Sequence, residues 1–502
     1  MRGSGILMPV FSLPSRYGIG TFGKEAYRFI DFLQKAGQSY WQILPLNPTN
    51  FGDSPYQSFS SYAGNPYFID LDMLIEDGLL TRDEVEAADF GSDRSAVDYG
   101  LLYENRLPVL RRAYSRFKPD RDFEEFCKNN DYWLCDYSLF MVLKNQRGDT
   151  AWSEWEQPLR DREEGAIAEA RERFTADIDF YNFIQFLFFS QWHALKAYAN
   201  AKGIRIIGDI PIYVALDSAD VWSEREQFRL SPDGTPAAVA GCPPDAFSDD
   251  GQLWGNPLYN WETMKGDGFR WWKKRIEAAL TTYDLVRIDH FRGFEAYYSI
   301  PFGDKTARGG RWNKGPGMEL FSALFSQFGE NMPIIAEDLG FLTPTVRKLL
   351  ADTKFPGMKV LQFAFDTREE SDYLPHNYTR NCVVYTGTHD NDTIMGWTES
   401  APKKDVETAK KYMHADGEGF NWTMIRAAMM SVADTAIFMM PDFLGLGSEA
   451  RINTPSTLGG NWQWRIDGGC INDWLAGIIR ELTALYGRLG SQKTEAETKD
   501  EK

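Results

Sequence analysis

Short apolar runs bounded by Gly, Pro or polar turns recur along the chain, and most lead into stretches with helix-like spacing, the rhythm of a parallel sheet with crossover helices. Eight such runs stand out: Ile6–Val10, Trp41–Leu46, Ile204–Ile210, Leu285–His290, Pro333–Leu339, Met358–Phe363, Cys382–Thr388 and Thr435–Met440. Eight buried strands in one chain predict a closed (β/α)8 barrel rather than an open doubly wound sheet. The first run starts at Ile6 and leaves Met1 to Ser4 outside it. Spacing between runs is uneven. Roughly 155 residues separate the second from the third, far more than a crossover helix needs. Residues 50–180 therefore read as a mainly helical inserted subdomain. It runs into a helix over Phe180–Ala201, capped by Gly203, whose Phe183, Phe186, Phe189 and Trp192 are expected to pack on the barrel. A second insertion, 211–282, reads as loop-rich and directly follows strand three, so it is expected to overhang the cleft at the strands' C-terminal ends. The whole of 1–490 is thus one barrel with two insertions, and the Lys/Glu/Thr-rich 491–502 reads as a disordered tail.

Composition narrows the partners. With 43% hydrophobic and 25% charged residues over 502 positions, the chain has ample apolar surface for a core. A formal charge of −18, from 72 acidic and 54 basic side chains, repels nucleic-acid phosphates and anionic membranes and favours a neutral partner. Aromatics reach 15%, with 16 Trp. Flat apolar rings suit the C–H faces of sugars, although a Trp-rich core accounts for the number equally well. Cys127, Cys135, Cys242, Cys382 and Cys470 form no C-x-x-C and leave one thiol over in any pairing. Together with the lack of a signal-peptide pattern, this points to a reducing, cytoplasmic compartment.

Candidate chemistry sits at the strand ends, because strand interiors must stay apolar. Strand three ends in Asp209, strand four in Arg287-Ile288-Asp289-His290, strand five in Glu337-Asp338, and strand seven runs on into His389-Asp390. Side chains alternate along a strand, so Arg287 and Asp289 share a side, and the guanidinium would keep Asp289 ionised. Cleavage of a glycosidic bond with retention needs a carboxylate nucleophile and a carboxylic acid about 5 to 5.5 Å apart. Neighbouring strands about 4.8 Å apart can place Asp289 and Glu337 at that separation. Crowding of acids should keep a proton on Glu337. Asp390, across the mouth, would then hold the distorted sugar ring. Any one of these acids could instead be a strand-end ion pair or a helix cap; three together favour catalysis. Of the two histidines, His290 reads as the more structural. Neither zinc spacing nor a phosphate-binding glycine loop is present, so no cofactor or metal is expected.

The same residues carry a resemblance. The stretches Gly5-Ile6-Leu7 to Gly20, Asp53-Ser54-Pro55-Tyr56-Gln57-Ser58, Gly64-Asn65-Pro66, Gly208 to Val214, Arg287 to Gly293, Ala336 to Gly340 and Thr386 to Asp390 resemble, in order, the 4-α-glucanotransferases. These are the amylomaltases or disproportionating enzymes, glycoside hydrolase family 77 of the α-amylase superfamily. The resemblance spans about Gly5 to Arg465. It implies Asp289 as nucleophile, Glu337 as general acid/base and Asp390 as transition-state stabiliser. Tyr56, Asp209, Arg287 and His389 fall on sugar-contacting positions, and Trp254 with Asp245 falls in a loop covering the cleft. It further implies maltooligosaccharides or longer α-glucans as donors, glucose or a maltooligosaccharide as acceptor, and no C-terminal β-sandwich. A roof over 243–261, with Phe247, Trp254, Tyr259 and Trp261, would favour a sugar acceptor over water, although Tyr259 and Trp261 could instead simply pin the loop. An α-glucan hydrolase and a non-catalytic glycan-binding relative are the rival readings.

Overall fold

The computed structural model describes residues 2–50, 52–244, 248–340, 342–368, 371–415 and 419–490. Eight parallel strands close into a barrel: β1 Gly3–Leu7, β2 Tyr40–Gln42, β3 Arg205–Ile210, β4 Leu285–Ile288, β5 Ile334–Ala336, β6 Gly357–Val360, β7 Cys382–Tyr385 and β8 Thr435–Met439. Each pairs with its sequence neighbours, and β1 closes on β8 from Gly3 opposite Thr435 to Leu7 opposite Met439. All eight overlap the apolar runs, as expected for strands buried on both faces, where alternation gives way to continuous apolar stretches. Several stop short of their runs. Tyr40–Gln42 ends before Ile43 to Leu46, and Ile334–Ala336 ends before Glu337.

The N-terminal boundary differs from expectation. Gly3, Ser4 and Gly5, glycine-rich and so poor in strand signal, lie inside β1. Glycine is needed at position 5, where a Cβ would stand 2.5 Å from the Tyr40 Cβ and 2.6 Å from its carbonyl oxygen. A substitution there would push β1 off β2.

Between β2 and β3 the chain forms helices that include Tyr99–Tyr114, Arg121–Asn129 and Asp131–Gln146, then the 27-residue helix Thr175–Ala201. That helix ends where Gly203 takes a φ of 75° and Ile204 N–H donates to the Ala199 carbonyl at 2.9 Å. Its rings do not all face the barrel. Trp192 does: it packs on Phe22 and Tyr283, and its Nε1 donates to the Thr282 carbonyl at 3.0 Å. Phe183, Phe186 and Phe189 instead pack on Phe117, Phe123, Phe126 and Trp133 of the preceding helices and the turn between them. A helix apolar around much of its girth is sandwiched between two bodies, and its spacing alone does not say which ring meets which.

The segment after β3 holds more regular structure than its loop-like composition suggests. Strands Ala238–Cys242 and Gln252–Pro257 join Ala296–Pro301 and Arg311–Lys314, from the chain after β4, in a four-stranded antiparallel sheet beside the mouth. A register shift between Val239 and Gly241 breaks the alternation that would have marked the first strand. Helices Trp261–Gly266 and Arg270–Thr282 then lead to β4. After β8 only short helices and Asp473–Leu485 follow among the described residues, with no sandwich. Among the described residues no helix is long and apolar enough to cross a membrane.

Candidate active site

Strand register sets the first two carboxylates side by side. Ile288 lies opposite Ala336, so Asp289 and Glu337 each stand one residue beyond, at the same level on neighbouring strands. Glu337 N–H donates to the Ile288 carbonyl at 3.0 Å, which extends the ladder into the mouth. The chain then turns sharply at His290, which takes the left-handed conformation (φ 50°, ψ 49°), a geometry costing about 1 kcal/mol for a residue with a Cβ. The turn aims the His290 backbone N–H at Glu337 Oε2 (2.7 Å), while Leu339 N–H donates to Oε1 at 2.8 Å. Burial raises the Glu337 pKa, the adjacent Asp289 charge raises it further, and Arg287 and the two amides only partly offset them, so it stands at about 7.

Beneath this pair lies a buried charge chain. Arg287 donates to Asp209 Oδ2 at 2.6 Å and to Asp289 Oδ1 at 2.9 Å. Arg287 and Asp209 are closed off from solvent, whereas the Asp289 side chain is 30% exposed and faces the mouth. Asp209 Oδ2 also accepts from the Tyr56 hydroxyl at 2.9 Å, and its Oδ1 makes no hydrogen bond within the protein. Burial pushes the Asp209 carboxyl up, against the pull of Arg287. Arg287→Ala should therefore destabilise the fold by about 3 to 5 kcal/mol, because it strands Asp209 as a buried charge without its counter-ion. An unchanged melting temperature would contradict that account.

On the far side, β7 delivers His389 and Asp390. Asn453 Nδ2 donates to Asp390 Oδ1 at 2.6 Å, His389 Nε2 lies 3.3 Å from Oδ2, and Arg451 donates to the Asp390 carbonyl at 2.8 Å. Burial works to raise the Asp390 pKa, but the His389 imidazole, the Asn453 amide and Arg287 outweigh it and hold the carboxyl down at about 2. His389 shifts the other way: burial disfavours its charge, Asp390 favours it, and the result is upward. Its ring stacks on Tyr56 with centroids 5.0 Å apart, and Trp462 leans on both rings at 5.9 Å. Below them Asp442, fully buried, accepts from Thr386 Oγ1 (2.7 Å) and Ile394 N–H (2.8 Å), so it braces both ends of the loop that carries His389 and Asp390.

Thus Asp289, Glu337, Asp390, Tyr56, Asp209, Arg287 and His389 converge on one mouth. Trp254 joins them through His290, its ring edge-on at 4.8 Å. Asp245 and Phe247 lie outside the described residues. Tyr259 is buried, donates to the Ile212 carbonyl at 2.7 Å and packs at a tilt on Trp261, which favours the reading that this pair pins the segment. The expectation that His290 is a satisfied structural residue is corrected. Its backbone N–H positions Glu337, burial holds its imidazole neutral with a pKa of about 4, and Nε2 is buried without a hydrogen bond in the protein. Asn453, Arg451 and Trp462 were not anticipated. They arrive from beyond β8, Arg451 and Asn453 lying 61 and 63 positions along the chain from Asp390, and no local pattern marks them.

Comparison with known proteins agrees with this arrangement. The model of glycoside hydrolase family 77, described as 4-alpha-glucanotransferase, matches residues 8–471. The 4-alpha-glucanotransferase of Clostridium butyricum is 51% identical over 486 residues, covering 96% of this chain and 100% of the relative. That of Thermus thermophilus is 49% identical, covering 97% and 99%. Among solved structures, an amylomaltase from Streptococcus agalactiae in complex with acarbose superposes with a TM-score of 0.94 at 44% identity, covering 97% of this chain and all of the other. An amylomaltase from Corynebacterium glutamicum, 18% identical with a TM-score of 0.75 over 98% of this chain and 75% of its own, shares the fold. The chain belongs to glycoside hydrolase family 77, the 4-α-glucanotransferases.

Proposed function

We propose that this 4-α-glucanotransferase works by a retaining double displacement, in which Asp289 is the nucleophile, Glu337 the acid and base, and Asp390 the stabiliser of the oxocarbenium ion. The observation that carries the reading is the pair of carboxylates level on neighbouring strands, one bound to Arg287 and the other kept protonatable at about 7. In the first step Asp289 Oδ2, the oxygen not held by Arg287, forms a bond to the anomeric carbon. The glycosidic C–O bond breaks, and the Glu337 proton passes to the departing oxygen. In the second step the 4-hydroxyl of an acceptor sugar attacks that carbon, Glu337 takes the hydroxyl proton, and the bond to Asp289 breaks. Arg287, bound to Asp289 Oδ1 at 2.9 Å, orients the carboxylate for attack and leaves Oδ2 facing the anomeric carbon.

Asp390, anionic over the whole working range, is suited to bond the hydroxyls of a ring whose positive charge grows in the transition state. The stacked His389 and Tyr56 rings offer further contacts for the sugar in the same subsite, with Asp209 holding the Tyr56 hydroxyl from beneath. Maltooligosaccharides and longer α-glucans serve as donors, and glucose or a maltooligosaccharide as acceptor. The acarbose bound by the S. agalactiae amylomaltase supports a cleft for short glucan-like chains. The five cysteines, all free thiols, support a reducing, cytoplasmic setting. Incubation with maltotriose tests transfer against hydrolysis. Transfer yields glucose plus a ladder of longer chains at constant total reducing ends, and a steady rise in that total contradicts it.

A further inference from the structure

The antiparallel sheet beside the cleft carries an aromatic residue that neither the core nor the carboxylate cluster uses. Trp312, on the edge strand Arg311–Lys314, is 41% exposed. The side chain is nevertheless held in place. The Arg292 guanidinium lies 4.1 Å from its ring centroid, and Tyr298, directly opposite on the neighbouring strand, packs edge-on at 5.2 Å. A cation–π contact of this kind contributes about 0.5 to 1 kcal/mol and fixes the ring's orientation while leaving part of it to solvent. Arg292 belongs to the turn Phe291–Phe294 that begins right after Asp289 and His290, and its charge is felt by Glu337. The indole is thereby tied to the same turn that aims Glu337. At the other edge of this sheet, strand Gln252–Pro257 carries Trp254 against His290. The two edge strands are three strand spacings apart, about 14 Å, so the edge carrying Trp312 lies the length of a few sugar units across the sheet from the edge carrying Trp254.

We propose that Trp312 is a stacking platform for a distal glucosyl unit of the α-glucan, out of reach of short chains, and that it makes the enzyme prefer longer ones. An exposed indole offers its apolar face to the C–H face of a pyranose. A neutral sugar fits a surface whose net charge repels anions. Arg292 at the same time couples the platform to the turn holding Glu337, so an occupied platform sits on a pre-ordered support.

The inference rests on the glucan-transfer reading of the cleft, and its test is internally controlled. Initial rates of Trp312→Ala and Trp312→Phe are measured with maltotriose and with maltoheptaose. For Trp312→Ala the KM for maltoheptaose should rise by about 3- to 10-fold and that for maltotriose by less than about twofold. Trp312→Phe, which keeps a flat face, should recover most of the difference. An equal loss on both substrates, or no change with maltoheptaose in either variant, overturns the proposal. Failure of the transfer reading itself would show separately, as reducing ends rising in the unaltered enzyme.

Discussion

Asp289→Asn should lower kcat on maltotriose by about 10⁴-fold or more, with the melting temperature little changed. An amide is a poor nucleophile toward an anomeric carbon, and no other group on the described strand ends can take its place. Asp390 is occupied by Asn453 and His389 across the mouth, and Asp209 lies closed off beneath Arg287. The fold should persist because Arg287 keeps its shorter ion pair, the 2.6 Å contact with Asp209. Steady-state rates with a melting curve check both halves. A variant within tenfold of the parent would remove Asp289 from the mechanism.

Glu337→Gln should cost about 10³-fold or more on maltotriose, since both protonation of the departing oxygen and activation of the acceptor pass through this side chain. The loss should be much smaller for the first-turnover burst of fluoride from an α-glucosyl fluoride, whose leaving group needs no proton. The same residue sets the pH response. Its carboxyl is raised to about 7, so it is protonated and competent for cleavage below that pH and loses its proton above it. Turnover of the parent on maltotriose should therefore fall as pH rises through about 7, and Glu337→Gln should lack that limb. A parent profile flat across this range, or a limb that survives the substitution, contradicts the assignment of the acid.

The barrel was readable because its strands are buried on both sides, which leaves eight apolar stretches that no surface element would carry. The candidate acids stood out for the converse reason: packing gives no cause for Asp289, Glu337 or Asp390 at the ends of such strands, so chemistry is the simpler explanation. What escaped the sequence depends on where the chain returns in space. Asn453 and Trp462 come back from beyond β8 to hold Asp390 and His389, and nothing in 451–464 encodes that partner. Strands Ala296–Pro301 and Arg311–Lys314 are short, lie in one half of a sheet built from two separate segments, and carry no long apolar run. Phe183, Phe186 and Phe189 were recognisably core, but the side of the helix they face is settled only by the inserted helices they meet. His290 read as the more structural of the two histidines; its left-handed backbone, which positions Glu337, is invisible in composition.

The central claim is covalent capture of the glucan on Asp289, and Glu337→Gln gives direct access to it. With an α-maltosyl fluoride this variant should still be glycosylated, because fluoride leaves unaided, yet should release its glycosyl group slowly, because nothing deprotonates the acceptor. Intact-mass and peptide-mapping mass spectrometry should then find one maltosyl group, carried on the peptide containing Asp289. Attachment to any other residue, or a parent enzyme whose first-formed products have inverted anomeric configuration, would contradict the account.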